Sequence, residues 1–396
     1  MSSRKTLESA ENSLLPLIQY EGADQGHEWP VRLLLGFLKG VSHIYGAVVQ
    51  LRLFLYRTGV KRRYPLGCQV ISVGNVTAGG TGKTPMVEKL ARELMDQGRK
   101  VAILSRGYRK KEQGFWQKLG DKMRHGPDGP PPRVVSDGHR LLLDSEMSGD
   151  EPYMLASNLP DAVVLVDKDR VKSGRYAVRH FGCDTLLLDD GFQYQKLKHR
   201  MDLLLVDRTN PFGNGNVLPR GILREPAENL SRAKFICITK ARGAKPGEVE
   251  TLRARIRKLN PEAGLMECNH DPTCLRNAFT RAEQPLSALQ GMKIVAVSGI
   301  AAPLSFENSL ETLGATILER RHFADHHRFS QQEVIDIVNR AQELGADAVI
   351  TTEKDAVRMT RIDRCDVPVL FLRIEVNFLG GQEEFQRCIK EITFQA

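Results

Sequence analysis

From Val31 to Thr58 the chain is dominated by Leu, Val, Phe and Tyr and contains no proline. Its polar positions Arg32, Lys39, His43, Gln50 and Arg57 recur at separations of 7, 4, 7 and 7 residues. At about 100° per residue these fall on one narrow stripe of a helix. Arg52 lies on the far face, and Leu33, Leu34, Phe37, Leu38, Val41, Ile44, Val48, Leu51 and Leu55 make the remaining surface apolar. The longest run without a formal charge is the twelve residues Gly40–Leu51, short of the about twenty that a bilayer crossing needs. Lys61-Arg62-Arg63 follows. A broadly apolar helix with a basic stripe and a basic end suits the interface of an anionic membrane, and 28–64 is read as an amphipathic membrane-docking helix. The same pattern also fits a helix packed on the protein's own core. Residues 1–27 are polar and mixed in charge, with no apolar segment of signal-peptide length, and are expected to be a poorly ordered extension.

Beyond residue 64 the pattern turns to short β-branched and leucine-rich runs alternating with helical periodicity. Strands are predicted at 69–73, 101–104, 162–166, 185–188 and 203–206, with a helix at about 84–97 and further helices between the later strands. Residues 109–135 read as a loop, basic at first and then Gly- and Pro-rich. A second alternating series has strands at 235–238, 293–297, 348–351 and 369–372 and helices at 246–258, 305–313 and 331–344, with Pro246 suited to a first helical position. Such βα alternation argues for parallel sheets. The fold class is therefore α/β, with one α/β domain over 65–230 and a second, smaller one over 231–396.

Composition narrows the partners. Lys plus Arg outnumber Asp plus Glu by 57 to 48, a net charge of +9, which favours phosphorylated substrates, nucleic acid or an anionic membrane. Aromatic residues are only 6% and no nucleic-acid motif appears, which argues against a nucleic-acid binder. The seven cysteines form no CxxC, which fits reduced thiols of a cytoplasmic chain better than a disulfide framework or zinc site.

The strongest motif is Thr77-Ala78-Gly79-Gly80-Thr81-Gly82-Lys83-Thr84, between a predicted strand and a predicted helix. Its glycines let successive N–H groups face phosphate oxygens, and the new helix adds its positive dipole end. In a phosphate loop of this kind Lys83 reaches the β- and γ-phosphates and the Thr84 hydroxyl ligates Mg²⁺. Thr77 stands where the common pattern has its first glycine. Leu186-Leu187-Leu188-Asp189-Asp190-Gly191 offers two acids at the carboxyl end of a buried strand, where the metal shell of a bound nucleotide is held. Gly149-Asp150-Glu151-Pro152 is a second acidic candidate, for catalysis or for a helix N-cap. Asp325-His326-His327 is an acid–imidazole cluster that fits a base, a phosphate-orienting group or a surface loop. Ser105-Arg106-Gly107-Tyr108 and the Pro211–Pro226 segment could wall a site for an anionic sugar, or be structured loops.

This ordered set resembles the tetraacyldisaccharide 4′-kinase (lipid A 4′-kinase) family. The matching segments are Gly74–Pro85, Ser105–Tyr108, Gly149–Pro152, Asp189–Gln193, Pro211–Gly215 with Leu223–Pro226, Asp325-His326 and Thr352-Glu353-Lys354-Asp355, in the family's order over roughly 28–375. The family's phosphate loop also begins with threonine. The resemblance implies ATP-dependent phosphorylation of the 4′-hydroxyl of a tetraacylated glucosamine disaccharide 1-phosphate, giving lipid IVA. It further implies docking on the cytoplasmic face of the inner membrane, with the nucleotide between the two domains. By the same resemblance Asp189 and Asp190 serve the metal shell, and Asp150 takes the hydroxyl proton, assisted by His326 from the other domain. The 1–27 extension and the 109–135 loop look unlike the usual member. The rival reading is a membrane-associated P-loop ATPase or GTPase switch or metal-insertion protein, which leaves the 149–152, 189–193 and 211–226 segments without a purpose.

Overall fold

A computed structural model of the protein describes residues 29–107, 130–362 and 366–393. The 1–27 extension, Tyr108 and most of the 109–135 loop lie outside the described residues. Helix α1 (Trp29–Arg57) is followed by β1 (Gln69–Asn75), α2 (Lys83–Asp96), β2 (Val101–Ser105) and β3 (Arg133–Asp137). Next come α3 (Asp150–Asn158), β4 (Val163–Val166), α4 (Arg170–Phe181), β5 (Thr185–Asp189), β6 (Met201–Asp207), β7 (Phe235–Thr239) and α5 (Glu248–Leu259). The remainder supplies β8 (Gly264–Asn277), β9 (Glu283–Pro285), β10 (Lys293–Ser298), α6 (Pro303–Thr312), β11 (Thr316–His322), α7 (Gln331–Glu343), β12 (Ala348–Thr352), β13 (Val369–Gly380) and α8 (Gln382–Thr393). The parallel-dominated α/β class is as expected.

Within the described residues the chain forms two compact units, one of 29–103, 178–269 and 377–393, the other of 104–107, 130–177, 270–362 and 366–376. This differs from the expected boundary at 230. The actual borders fall inside β2, α4, β8 and β13, so no linker composition marks them.

In the first unit β7, β6, β1 and β5 are successive parallel neighbours. All five residues of β5 are buried, as expected of a parallel strand covered on both faces. Val73 pairs with Asp189 and Asn75 with Leu205, so the carboxyl ends of three strands share one rim. Phe192, Leu204, Phe212, Leu223, Ile236 and Ile256 are prominent in a core beneath that rim. Helix α5 begins at Glu248 after a left-handed Gly247, so Pro246 precedes it rather than opening it.

Helix α1 packs on the protein along one side and is exposed along the other. Leu35, Ser42 and Gly46 are buried. Ser42 Oγ donates to the Val217 carbonyl at 2.5 Å and accepts from Arg220 N at 3.0 Å, and Tyr45 Oη donates to the Arg224 carbonyl at 3.1 Å. The opposite surface is bare: Trp29, Leu33, Phe37, Ile44, Val48, Leu51 and Phe54 are 57% to 73% exposed. By length and composition alone the helix is long and apolar enough to cross a membrane.

In the second unit β11, β10, β12 and β13 are parallel neighbours, and β3 pairs antiparallel with β4. Phe329, Val334, Ile337, Val338 and Val349 pack on one side of the parallel strands. The carboxyl ends of β10 and β12 lead to Gly299 and to a helical turn at Glu353–Ala356.

Candidate active site

The glycine loop occupies the turn its sequence implies. β1 ends at Asn75, and α2 starts at Lys83 behind Gly82, whose φ of 79° is a left-handed conformation that glycine adopts without a side-chain clash. Ala78 N donates to the Ile222 carbonyl at 2.7 Å and Arg224 N to the Val76 carbonyl at 2.7 Å, pinning the loop to segment 222–224. Lys83 Nζ is 3.4 Å from Asn75 Oδ1 and 3.6 Å from Asp190 Oδ1. Gln193 Nε2 donates to the Asn75 carbonyl at 3.0 Å.

Asp189 is 3% exposed at the end of β5. Asp190 follows with a φ of 53° and receives Arg224 Nη1 on its two oxygens at 2.8 and 2.7 Å. A non-glycine residue in that region costs of order 1–3 kcal/mol and persists where its surroundings enforce it, often at functional sites. The residues present fit a nucleotide and its metal. Thr81 Oγ1 is buried without a hydrogen-bond partner among the described residues, and a phosphate oxygen would satisfy it. The Thr84 hydroxyl and the two carboxylates are the hard oxygen donors that Mg²⁺ takes, one or two at a time, beside phosphate and water.

Asp150, His326, Arg328 and Arg358 meet in the second unit. The expectation that Asp150 and His326 belong to different domains is therefore corrected. Gly149, not Asp150, caps α3, so the Asp150 side chain is available for other contacts. Its Oδ2 accepts from Arg358 Nε at 2.9 Å and its Oδ1 from Arg328 Nη2 at 3.0 Å, while His326 Nδ1 stands 3.3 Å from Oδ2. Burial alone would raise the Asp150 pKa. A hydrogen bond from His326, available only with the proton on Nδ1, and the Arg358 and Arg328 guanidiniums act the other way and hold the carboxyl below its ordinary range. His326 has a φ of 64°, the same strained region as Asp190.

Sequence reasoning missed Asn75, Arg224 and Asp355 as individual groups, although each lay inside a motif segment. Arg328 and Arg358 carried no signal at all. Arg106 follows β2 and is exposed. Leu223 and Glu225 are buried, and Glu225 accepts from Asn229 at 2.8 Å, while Arg224 between them reaches Asp190.

The family model of tetraacyldisaccharide-1-P 4′-kinase matches residues 34–393. The chain belongs to this family. The tetraacyldisaccharide 4′-kinase of Anaeromyxobacter dehalogenans strain 2CP-C is 41% identical over 315 residues, 80% of this chain and 79% of that one. That of Halothermothrix orenii is 36% identical over 341 residues, covering 84% and 85%. Among solved structures, LpxK from Aquifex aeolicus in complex with ATP is 29% identical with a TM-score of 0.71, covering 91% of this chain and 99% of that one. Membership makes this chain a lipid A biosynthesis kinase that uses ATP, and the switch-protein alternative is not favoured.

Proposed function

We propose that the chain transfers the γ-phosphoryl group of ATP to the 4′-hydroxyl of a tetraacylated glucosamine disaccharide 1-phosphate, giving lipid IVA. The observation that carries this reading is a family match running from α1 through the glycine loop to α8. Backbone N–H groups of 79–84 hold the phosphates, Ala78 N being already engaged with the Ile222 carbonyl, and Lys83 sets positive charge beside them. Mg²⁺, when bound by Thr84, Asp189 and Asp190, neutralises charge on the phosphates. The transition state spreads charge over the γ-phosphoryl oxygens, so positioning and electrostatics supply most of the acceleration. Asp150, ionised and inside a cationic cluster, accepts the hydroxyl proton, with His326 beside it. The bare face of α1 rests on the cytoplasmic face of the inner membrane, where the glycolipid resides.

The test is transfer of label from radiolabelled ATP with the glycolipid in detergent and soluble amino sugars as competitors. Label is expected in the glycolipid alone. Label appearing only in soluble sugars would defeat the substrate assignment. Asp150→Ala is expected to lower turnover about 10²–10⁴-fold, the usual worth of a general base, with KM for ATP little changed. Unchanged turnover would remove the base assignment.

A further inference from the structure

We propose that Arg358 is the positioning residue of the site, holding Asp150 ionised and fixing the proton of His326 on Nε2. The inference rests on the reading of Asp150 as the base. Arg358 has a side chain only 1% exposed. It is held from behind, with Nη1 donating to the Gly299 carbonyl at 3.2 Å and to Asp355 Oδ1 at 3.0 Å. Asp355 is itself fixed, its Oδ2 accepting from Gly299 N at 3.0 Å and Thr352 Oγ1 at 2.7 Å. From this mount Arg358 reaches forward with two groups, Nε to Asp150 Oδ2 at 2.9 Å and Nη2 to His326 Nδ1 at 2.9 Å.

The second contact decides the tautomer. A guanidinium can only donate, so the Nδ1 it meets must accept and carry no proton. The competing arrangement, Nδ1–H donating to Asp150 across 3.3 Å, is the longer contact, and it would turn an N–H against an N–H at 2.9 Å. The imidazole is then neutral with its proton on Nε2, 3.8 Å from Asp325 Oδ2. The Thr352-Glu353-Lys354-Asp355 segment thereby gains a purpose: Thr352 and Asp355 form the mount. Its other members brace α3, since Glu353 accepts from Asn158 Nδ2 at 2.7 Å and Lys354 pairs with Glu151 at 3.2 Å. The groups facing Asp150 are thus the neutral His326 and the cationic Arg328 from one loop and the cationic Arg358 from another, with Asp325, Asp355, Glu151 and Lys354 around them.

Arg358→Met removes both forward contacts, and Arg358→Lys can restore one. Turnover is expected to fall about 10²-fold in Arg358→Met, the cost of a misplaced group, and less in Arg358→Lys, with KM for ATP unchanged in both. The acid limb of the kcat profile should move up by about one pH unit in Arg358→Met, because burial then acts on Asp150 with one guanidinium fewer. In the wild type, ¹⁵N spectra of histidine-labelled protein, with His326 assigned by His326→Gln, should show protonated Nε2 and bare Nδ1. A proton on Nδ1 overturns the proposal even if Arg358→Met does not fold. Folded Arg358 variants with wild-type turnover and acid limb also overturn it. If Asp150→Ala keeps normal turnover while the His326 tautomer is as stated, the base reading fails and the tautomer assignment stands.

Discussion

Lys83 stands beside one amide oxygen and one carboxylate oxygen, at 3.4 and 3.6 Å, and both contacts are long enough for a phosphate to displace. Lys83→Ala should therefore cut turnover by at least 10²-fold, the scale of losing a donor aimed at developing charge, read in steady-state kinetics against the wild type. Asp150 contributes to the pH dependence of stability. Its folded pKa is depressed, so its stabilising contribution is present above the unfolded value of about 3.9 and is lost as pH falls through the lower folded value. Denaturant midpoints of wild type and Asp150→Asn should accordingly differ at neutral pH and converge under acid. At this scale motif residues were legible because their chemistry is rare in combination: Gly-Lys-Thr after a strand, or Asp-Asp-Gly after three leucines. Arg358 was not, because nothing local distinguishes one among 57 Lys and Arg; its role follows from Asp355 and Gly299, which only folding places beside it.

Among the elements, the β-branched and leucine-rich strands could be read from their runs, since burial on both faces demands such runs. β11 could not, because Glu319, Arg320 and Arg321 sit on a half-open edge strand, and β3 was hidden in a Pro-rich stretch. The close approach of β1 to the turn after β5 was equally invisible. A Cβ on Gly74 would lie 2.6 Å from Phe192 Cβ, and Phe192 is fully buried, so neither side can yield. Gly74→Ala should cost about 1–3 kcal/mol, as other overpacked sites do, measured by urea unfolding. For α1, the exposed positions set the expectation. Phe37→Glu with Ile44→Glu should weaken sedimentation with anionic vesicles at least tenfold, since each residue buries about 1.5–3 kcal/mol of apolar surface when covered. Unaltered vesicle binding would send the apolar face elsewhere.

Across the whole molecule, the class of fold was legible and its partition was not. Alternating strands and helices reveal a parallel sheet, but a border inside a strand leaves no trace in composition. The excess of positive charge gave the sign of the partners without their identity, and at this scale it predicts that vesicle binding falls as ionic strength rises. The ribbon 217–224 is gripped along one edge by Ser42 and Tyr45 and along the other by Val76 and Ala78. If α1 seats in lipid as proposed, it cannot lift from the protein without tugging the very peptides that precede Thr81. Helix α1 and the glycine loop hang on the same short cord, so loosening the first slackens the second.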